Sequence, residues 1–196
     1  QQYPERFLVF CALNAADPNK FPKMLNCLDR GASGLKLYNG HSYYYQPDFP
    51  LNEKTMKEIY LYASSKSIPL IFHVNLHNYK EEFESVLREF PKMKVVCPHY
   101  CLYTTRLSEL SALLDKYSNL YLDISFGAPE FAKDGFQRIS DNQKIFRDFF
   151  TTYSSRLLFS TDIGATGYEG KDYQILAKVF QSYKDFLAKD GFSFPL

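Results

Sequence analysis

Three side chains of this sequence have the types and the spacing of a metal site: His73, His99 and Asp162. Each stands at or just after the end of a short apolar run, in PLIFHVN, VVCPHY and LLFSTDIG, and they are 26 and 63 residues apart. Imidazole and carboxylate ligands suit a divalent metal such as zinc, and an open coordination position lets a bound water ionise near neutral pH. The trio therefore predicts a metal site that can activate water.

Each of the three residues also has a structural interpretation. A lone histidine at a strand end is more often a hydrogen-bonded structural residue than a ligand, and an aspartate there commonly caps the following helix. The combined spacing favours the site, because one and then two strand-helix units would carry all three residues to the same rim.

The elements that must position these residues are short strands that alternate with helices. Stretches with apolar residues three and four apart separate the apolar runs, which is typical of βα units on a parallel sheet. Six strands are predicted, over residues 6–12, 34–38, 69–74, 94–98, 120–125 and 156–161.

Side chains of a strand alternate between its two faces, so residues two positions apart share a face. By this rule His73 shares a strand face with Ile71 and Asn75. His99 shares a face with Val95 and Cys97, and Asp162 shares a face with Leu158 and Ser160. If these are the inward faces of a barrel, the two imidazoles and the carboxylate converge at its mouth.

Two architectures fit the alternation, an open doubly wound sheet and a closed barrel. No glycine-rich phosphate turn follows any strand, which disfavours a nucleotide-binding open sheet. Two long irregular connections are predicted, over residues 39–50 and 127–141, and both follow the carboxyl end of a strand. In a barrel that end is the catalytic face, where long loops form substrate walls, although surface loops explain the length equally well.

Read in order, the segments GLKLY, IPLIFHVN, MKVVCPHY, NLYLDIS and RLLFSTD are similar to strands 4 to 8 of the amidohydrolase superfamily, especially its amidohydrolase 2 group of hydrolases and decarboxylases. Residues 6–12 resemble strand 3. The resemblance implies an α/β fold, a TIM-type barrel present as about six βα units (strands 3–8) of eight. It also implies a metal-dependent hydrolase that activates water on a divalent metal, with zinc expected, to cleave a C–N, C–O or phosphoester bond.

The resemblance assigns roles to four residues. His73 corresponds to the metal ligand of strand 5, and His99 to the strand 6 histidine that binds a second metal or polarises the substrate. Asp162 corresponds to the strand 8 aspartate that contacts the metal and takes the proton of the attacking water, which makes Asp162 and His99 the catalytic pair. Lys36 stands where some members carry a carboxylated lysine that bridges two metals; with one metal, which we favour, it is a buried amine or a substrate contact.

Further residues near the predicted rim are candidates for substrate contacts: Tyr38, His41, Asn75, Tyr100 and Arg106. His41 lies beside three tyrosines, and these rings either contact substrate or form a surface cluster. Arg106 suits a substrate carboxylate, or else it is a solvated residue at the start of a helix.

The sequence departs from the family pattern at one point, because it contains no His-x-His pair, which the superfamily uses on strand 1. We therefore expect strands 1 and 2 to lie upstream of Gln1, and residues 1–196 to form a single barrel domain truncated at both ends. Six strands cannot close an eight-stranded barrel unaided, so we expect the intact parent to be active and this fragment alone to be inactive.

Composition limits the partners. With 23 basic and 22 acidic residues the net charge is +1, which gives no electrostatic argument for nucleic acid or an acidic membrane. No apolar run approaches the ~18 residues that span a bilayer, and the segment QQYPERFLVF lacks the basic n-region and cleavage site of a signal peptide. We expect a cytoplasmic protein that acts on a small molecule, with free thiols at its four cysteines and with a homo-oligomer left open.

Three other functions remain open. Non-oxidative decarboxylation uses the same architecture. A Schiff-base aldolase would use Lys36 as its nucleophile. An inactive or truncated barrel would serve as an interaction domain.

Overall fold

The structure, a computed structural model, describes residues 5–39, 49–126, 129–162 and 173–189. Its strands are β1 (Phe10–Ala12), β2 (Gly34–Asn39), β3 (Leu70–Val74), β4 (Val95–Cys97), β5 (Leu120–Asp123) and β6 (Leu157–Leu158). Its helices are α1 (Lys20–Asp29), α2 (Lys54–Ser65), α3 (Leu76–Glu89), α4 (Leu107–Lys116), α5 (Pro129–Asp141), α6 (Gln143–Thr152) and α7 (Tyr173–Ala188). Short 3-10 helices cover His99–Leu102, Thr104–Arg106 and Ser154–Arg156.

The six strands form one sheet whose spatial order follows the chain from β1 to β6. Strands β1 to β5 pair in parallel, and the amide of Ile124 donates to the carbonyl of Leu158 (3.1 Å). The predicted alternation of six strands and helices is therefore confirmed, and it is that of a partial TIM barrel. The chain divides into two compact units, Gln1–Leu122 and Asp123–Leu196; a single domain over residues 1–196 stays a prediction.

In the first unit the core lies between the sheet and the helices that cover it. Alternate strand residues are fully buried, and each helix adds one apolar stripe, as in Met56, Ile59, Tyr60 and Ala63 of α2. The ring of Tyr60 packs near Phe72 and Phe90, with centroids 6.1 and 5.5 Å away. Its hydroxyl donates to the carbonyl of Leu51 (2.9 Å), so the buried polar atom is satisfied.

The second unit has an aromatic core. Tyr183 of α7 is fully buried, and its ring lies 4.8 Å from that of Phe136 and 6.2 Å from that of Phe126. Gly135 of α5 makes this packing feasible, because a Cβ there would come within 2.3 Å of the Phe126 ring. The hydroxyl of Tyr183 accepts a hydrogen bond from the Phe126 amide (2.6 Å), which ties α7 to the segment that follows β5.

The predicted irregular connection over residues 127–141 is wrong, because most of it is helix α5. Ala132, Phe136 and Ile139 are buried at helical spacing along it. This short stripe, interrupted by charged and polar residues, is what the sequence interpretation overlooked.

The prediction of free thiols is also wrong, since two disulfides join Cys11 to Cys27 and Cys97 to Cys101. Helix α1 lies back along β1, so residues 16 positions apart come within 6.3 Å between Cα atoms. The thiol argument for a reducing compartment therefore fails, and the cytoplasmic location stays a prediction. In the part of the chain that the structure describes, no helix combines the length and the apolar character needed to cross a membrane.

Candidate functional site

His73 lies one residue before the end of β3, on the face of the sheet opposite the buried core side chains. Its partner in the register with β2 is Tyr38, whose ring centroid is 5.8 Å away. The ammonium of Lys36, two residues earlier on the same face, lies 4.9 Å from the centre of the Tyr38 ring. Only 7% of His73 is exposed, so this imidazole is part of a packed row of side chains.

His99 also lies next to this row of side chains, but strand alternation does not place it there. The register pairs Leu70 with Val95, and paired residues of neighbouring strands share a face. Val95 and Cys97 are accordingly fully buried on the core side, so the expected common face with His73 is wrong. The strand ends at Cys97, and the backbone then enters the left-handed region, with φ of 56° at His99.

This turn brings the two imidazoles together. The ring centroids of His73 and His99 are 5.1 Å apart, and the rings meet edge to face at 67°. Four consecutive residues have positive φ, over His99–Leu102. The predicted pairing of these two histidines is therefore present, although a turn rather than strand alternation produces it.

Asp162 belongs to the second unit, where it also has a positive φ (49°) and is exposed. Burial is the main cause of a raised pKa at Tyr183, and the carboxylates of Asp123 and Asp162 add to it. Asp123 accepts hydrogen bonds from the amide (2.9 Å) and the hydroxyl (2.5 Å) of Ser125, which orders the backbone after β5. That Asp162 shares a site with the histidines stays a prediction.

A divalent metal is the cofactor that the sequence predicts, and the histidine pair supplies two nitrogen donors of the right kind. A structural or catalytic zinc takes three or four protein ligands. Within residues 5–39, 49–126, 129–162 and 173–189, no group of three or more His, Cys, Asp or Glu side chains gathers so as to hold an ion. The donor types fit and the number falls short, so the described residues do not form a complete metal site.

The remaining candidates for substrate contacts have other surroundings. Asn75 is the N-cap of α3, and its side chain accepts from the amide of His77 (3.0 Å). Tyr100 is fully buried within the left-handed turn. Arg106 Nη1 donates to Glu109 Oε1 (3.1 Å). His41 lies outside the described residues, and the substrate roles of all these residues stay predictions.

The sequence interpretation missed Glu109 near the start of α4. Its carboxylate accepts from Lys80 of α3 (2.5 Å), from the hydroxyl of Tyr103 (3.1 Å) and from Arg106. Lys80 first, and then Arg106, lower the pKa of Glu109 to about 2. No sequence motif predicts this hub of three donors around Glu109. Of the three donors, only Arg106 was a candidate from the sequence, as a ligand of a substrate carboxylate.

Comparison with known proteins adds to this geometry. A family model described as amidohydrolase matches residues 1–188. Among solved structures, an uncharacterized TIM-barrel protein from Bordetella bronchiseptica matches with a TM-score of 0.63 at 18% identity, over 95% of this chain and 68% of that one. An amidohydrolase from Burkholderia multivorans with bound zinc matches with a TM-score of 0.60 at 11% identity, over 93% of this chain and 67% of that one.

A third similar structure is 5-carboxyvanillate decarboxylase from Sphingomonas paucimobilis, with a TM-score of 0.52 at 11% identity, over 92% of this chain and 62% of that one. The chain thus spans 62 to 68% of the lengths of these three proteins. No curated protein matches the sequence significantly. Identities this low show the fold alone, while the family model covers nearly the whole chain, and we conclude that the chain belongs to the amidohydrolase family.

Proposed function

We propose that this chain carries part of the active site of a metal-dependent hydrolase that cleaves a C–N, C–O or phosphoester bond of a small molecule. The observation that carries the proposal is the pair of imidazoles, His73 and His99, 5.1 Å apart at the carboxyl ends of β3 and β4. In (β/α) barrels this end of the strands is the catalytic face. Family membership supports an enzyme, and the choice of scissile bond is left to experiment.

In this proposal His73, His99 and Asp162 would hold a divalent ion, with further ligands from outside the described residues. The ion would polarise the substrate and make bound water more acidic. Asp162 would accept the proton of the attacking water, and His99 would stabilise developing charge on the substrate. Lys36 would contact the substrate or, in its carboxylated form, bridge two ions. Zinc is the favoured metal, and the zinc bound to the similar amidohydrolase supports that choice.

Decarboxylation is the second candidate, supported by the similarity to 5-carboxyvanillate decarboxylase. The two reactions differ in their products, since only decarboxylation releases carbon dioxide. A panel of amides, esters, phosphoesters and aromatic carboxylates, assayed for both kinds of product, separates them. A cytoplasmic location and a homo-oligomer remain proposals.

Metal binding tests the proposal before any substrate is known. The protein is loaded with zinc, dialysed and analysed for bound metal, next to His73→Ala, His99→Ala and Asp162→Ala. Because each removes a direct ligand, we expect affinity losses above the roughly 10- to 100-fold that outer partners of a metal site contribute. His77→Phe is the matched control, since it removes the imidazole nitrogens of an exposed histidine of α3 and keeps a ring against Tyr103, 4.8 Å away between centroids.

Two outcomes would overturn the proposal. One is a wild-type full-length protein that retains no divalent metal after loading. The other is an equal loss of metal in His77→Phe and His73→Ala, which would indicate non-specific binding to histidine side chains.

A further inference from the structure

Two carboxylates bridge α3 and α4 in the same manner at different places along these helices. Glu84 accepts from Lys116 (2.7 Å) and from the hydroxyl of Tyr117 (2.8 Å). Glu109 likewise accepts from a lysine and a tyrosine, Lys80 and Tyr103, and from an arginine as well. The first bridge involves the last residue of α4, and the second joins the second turn of α3 to the first turn of α4.

The Glu109 bridge lies next to the segments that carry the two histidines. Helix α3 starts at Leu76, three residues after His73, so Lys80 is in the second turn of the helix that this strand leads into. Tyr103 directly follows the left-handed turn that begins at His99. Glu109 therefore joins the chain just beyond His73 to the chain just beyond His99.

The left-handed turn over His99–Leu102 needs an anchor that holds its backbone angles. None of the residues His99–Leu102 is glycine, and an L-residue in the left-handed region costs roughly 1–2 kcal/mol. Tyr103 is the first residue after it, and with 3% exposure it is buried as well as hydrogen-bonded. An anchor at this point opposes the relaxation of the turn toward ordinary backbone angles.

We propose that Glu109 is a positioning residue that holds the His99 imidazole against His73 by fastening Tyr103 to Lys80 across α3 and α4. Glu109 touches neither histidine and has no part in the chemistry itself. Ion pairs near the surface contribute little to global stability, and the Lys80 and Glu109 side chains are 34% and 35% exposed. Loss of the carboxylate should therefore disturb the histidine pair more than the fold.

This inference rests on the proposed function, because holding the two histidines in place matters when both imidazoles bind a metal ion. Its test is independent of that function, because the arrangement of the imidazoles is measured in protein stripped of metal. A failure of wild-type metal binding would overturn the proposed function and leave the geometry of the pair open to measurement.

The experiment compares the full chain with Glu109→Gln, Glu109→Ala and the matched control Glu84→Ala. The readout is the nuclear Overhauser effect between the ring protons of His73 and His99, whose centroids are 5.1 Å apart. We expect it to be present in the wild type and in Glu84→Ala, and at least halved in both Glu109 variants. Zinc affinity, where the wild type binds zinc, should fall about 10- to 100-fold in the Glu109 variants only.

Glu109→Gln keeps the size of the side chain, so it reports on the pair even if Glu109→Ala unfolds. An unchanged ring contact in folded Glu109→Gln would overturn the proposal. An equal loss in Glu84→Ala would overturn it too, because it would trace the effect to general loosening of α3 against α4.

Discussion

Tyr183→Phe removes one hydroxyl from the aromatic core of the second unit. That hydroxyl accepts the Phe126 amide at 2.6 Å, and Tyr183 and Phe126 are 0% and 8% exposed. The substitution keeps the ring and its contact with Phe136, so the main loss is an acceptor for a buried N–H. A buried donor left without its partner costs about 1–3 kcal/mol.

Two measurements check this value. Amide exchange at Phe126 should speed up about 5- to 150-fold, because 1.4 kcal/mol corresponds to a factor of ten. The melting temperature should fall by about 2–12 °C, at about 2–4 °C for each kcal/mol in a chain of this size. Near-ultraviolet circular dichroism can follow the melting, since the chain has 16 tyrosines and no tryptophan.

Tyr62→Phe is the control, since the described part of the chain shows no hydrogen bond from the Tyr62 hydroxyl and its ring packs against Phe21 at 5.7 Å. We expect wild-type melting and exchange for this variant. If Tyr183→Phe also melted and exchanged like the wild type, the hydrogen bond would not be a stabilising contact and the reasoning would be refuted.

The double variant Cys11→Ser/Cys27→Ser should lower the unfolding free energy by about 3 kcal/mol, because the bond closes a loop across a separation of 16 residues. Urea unfolding without reductant measures it, and four reactive thiols in the denatured wild type would contradict the pairing. The low pKa of Glu109, about 2, favours its ionised form in the folded protein. Its stabilisation is therefore complete above the ordinary glutamate range and is lost as the pH falls toward 2. The melting difference between wild type and Glu109→Gln should shrink over this interval, and a constant difference would count against the ion pairs.

The fold could be predicted because its elements follow simple periodicities. The alternation of buried residues along β2 and β3 can be read from the sequence, and so can the apolar stripe of α2. Each of these patterns corresponds to one element of the structure. Helix α5 was missed because its stripe is short and interrupted by charged and polar residues. The cysteine pair across β1 and α1 was missed because pairing depends on where the helix lies, which spacing alone does not specify.

The candidate site likewise contains residues that could be predicted from the sequence and residues that could not. The strand that carries His73 could be predicted from its apolar run and the face from alternation, whereas its partner Tyr38 is known only from the register of the structure. The hub at Glu109 could not, because its partners lie 29, 6 and 3 residues away and match no motif. Surface ion pairs of this kind depend on how two helices meet, and many different residue pairs could have met there.

His99 shows how a correct pairing can follow from an incorrect rule. Extending the alternation of β4 by one more step would leave His99 on the core side with Val95 and Cys97. The ring reaches His73 because the strand stops at Cys97 and the next residues adopt left-handed angles that their types disfavour. Such a conformation persists only when the surroundings enforce it. Buried Tyr100, the Cys97–Cys101 bond and the anchor at Tyr103 supply that enforcement, so the position of His99 depends on the turn and its anchors rather than on the strand.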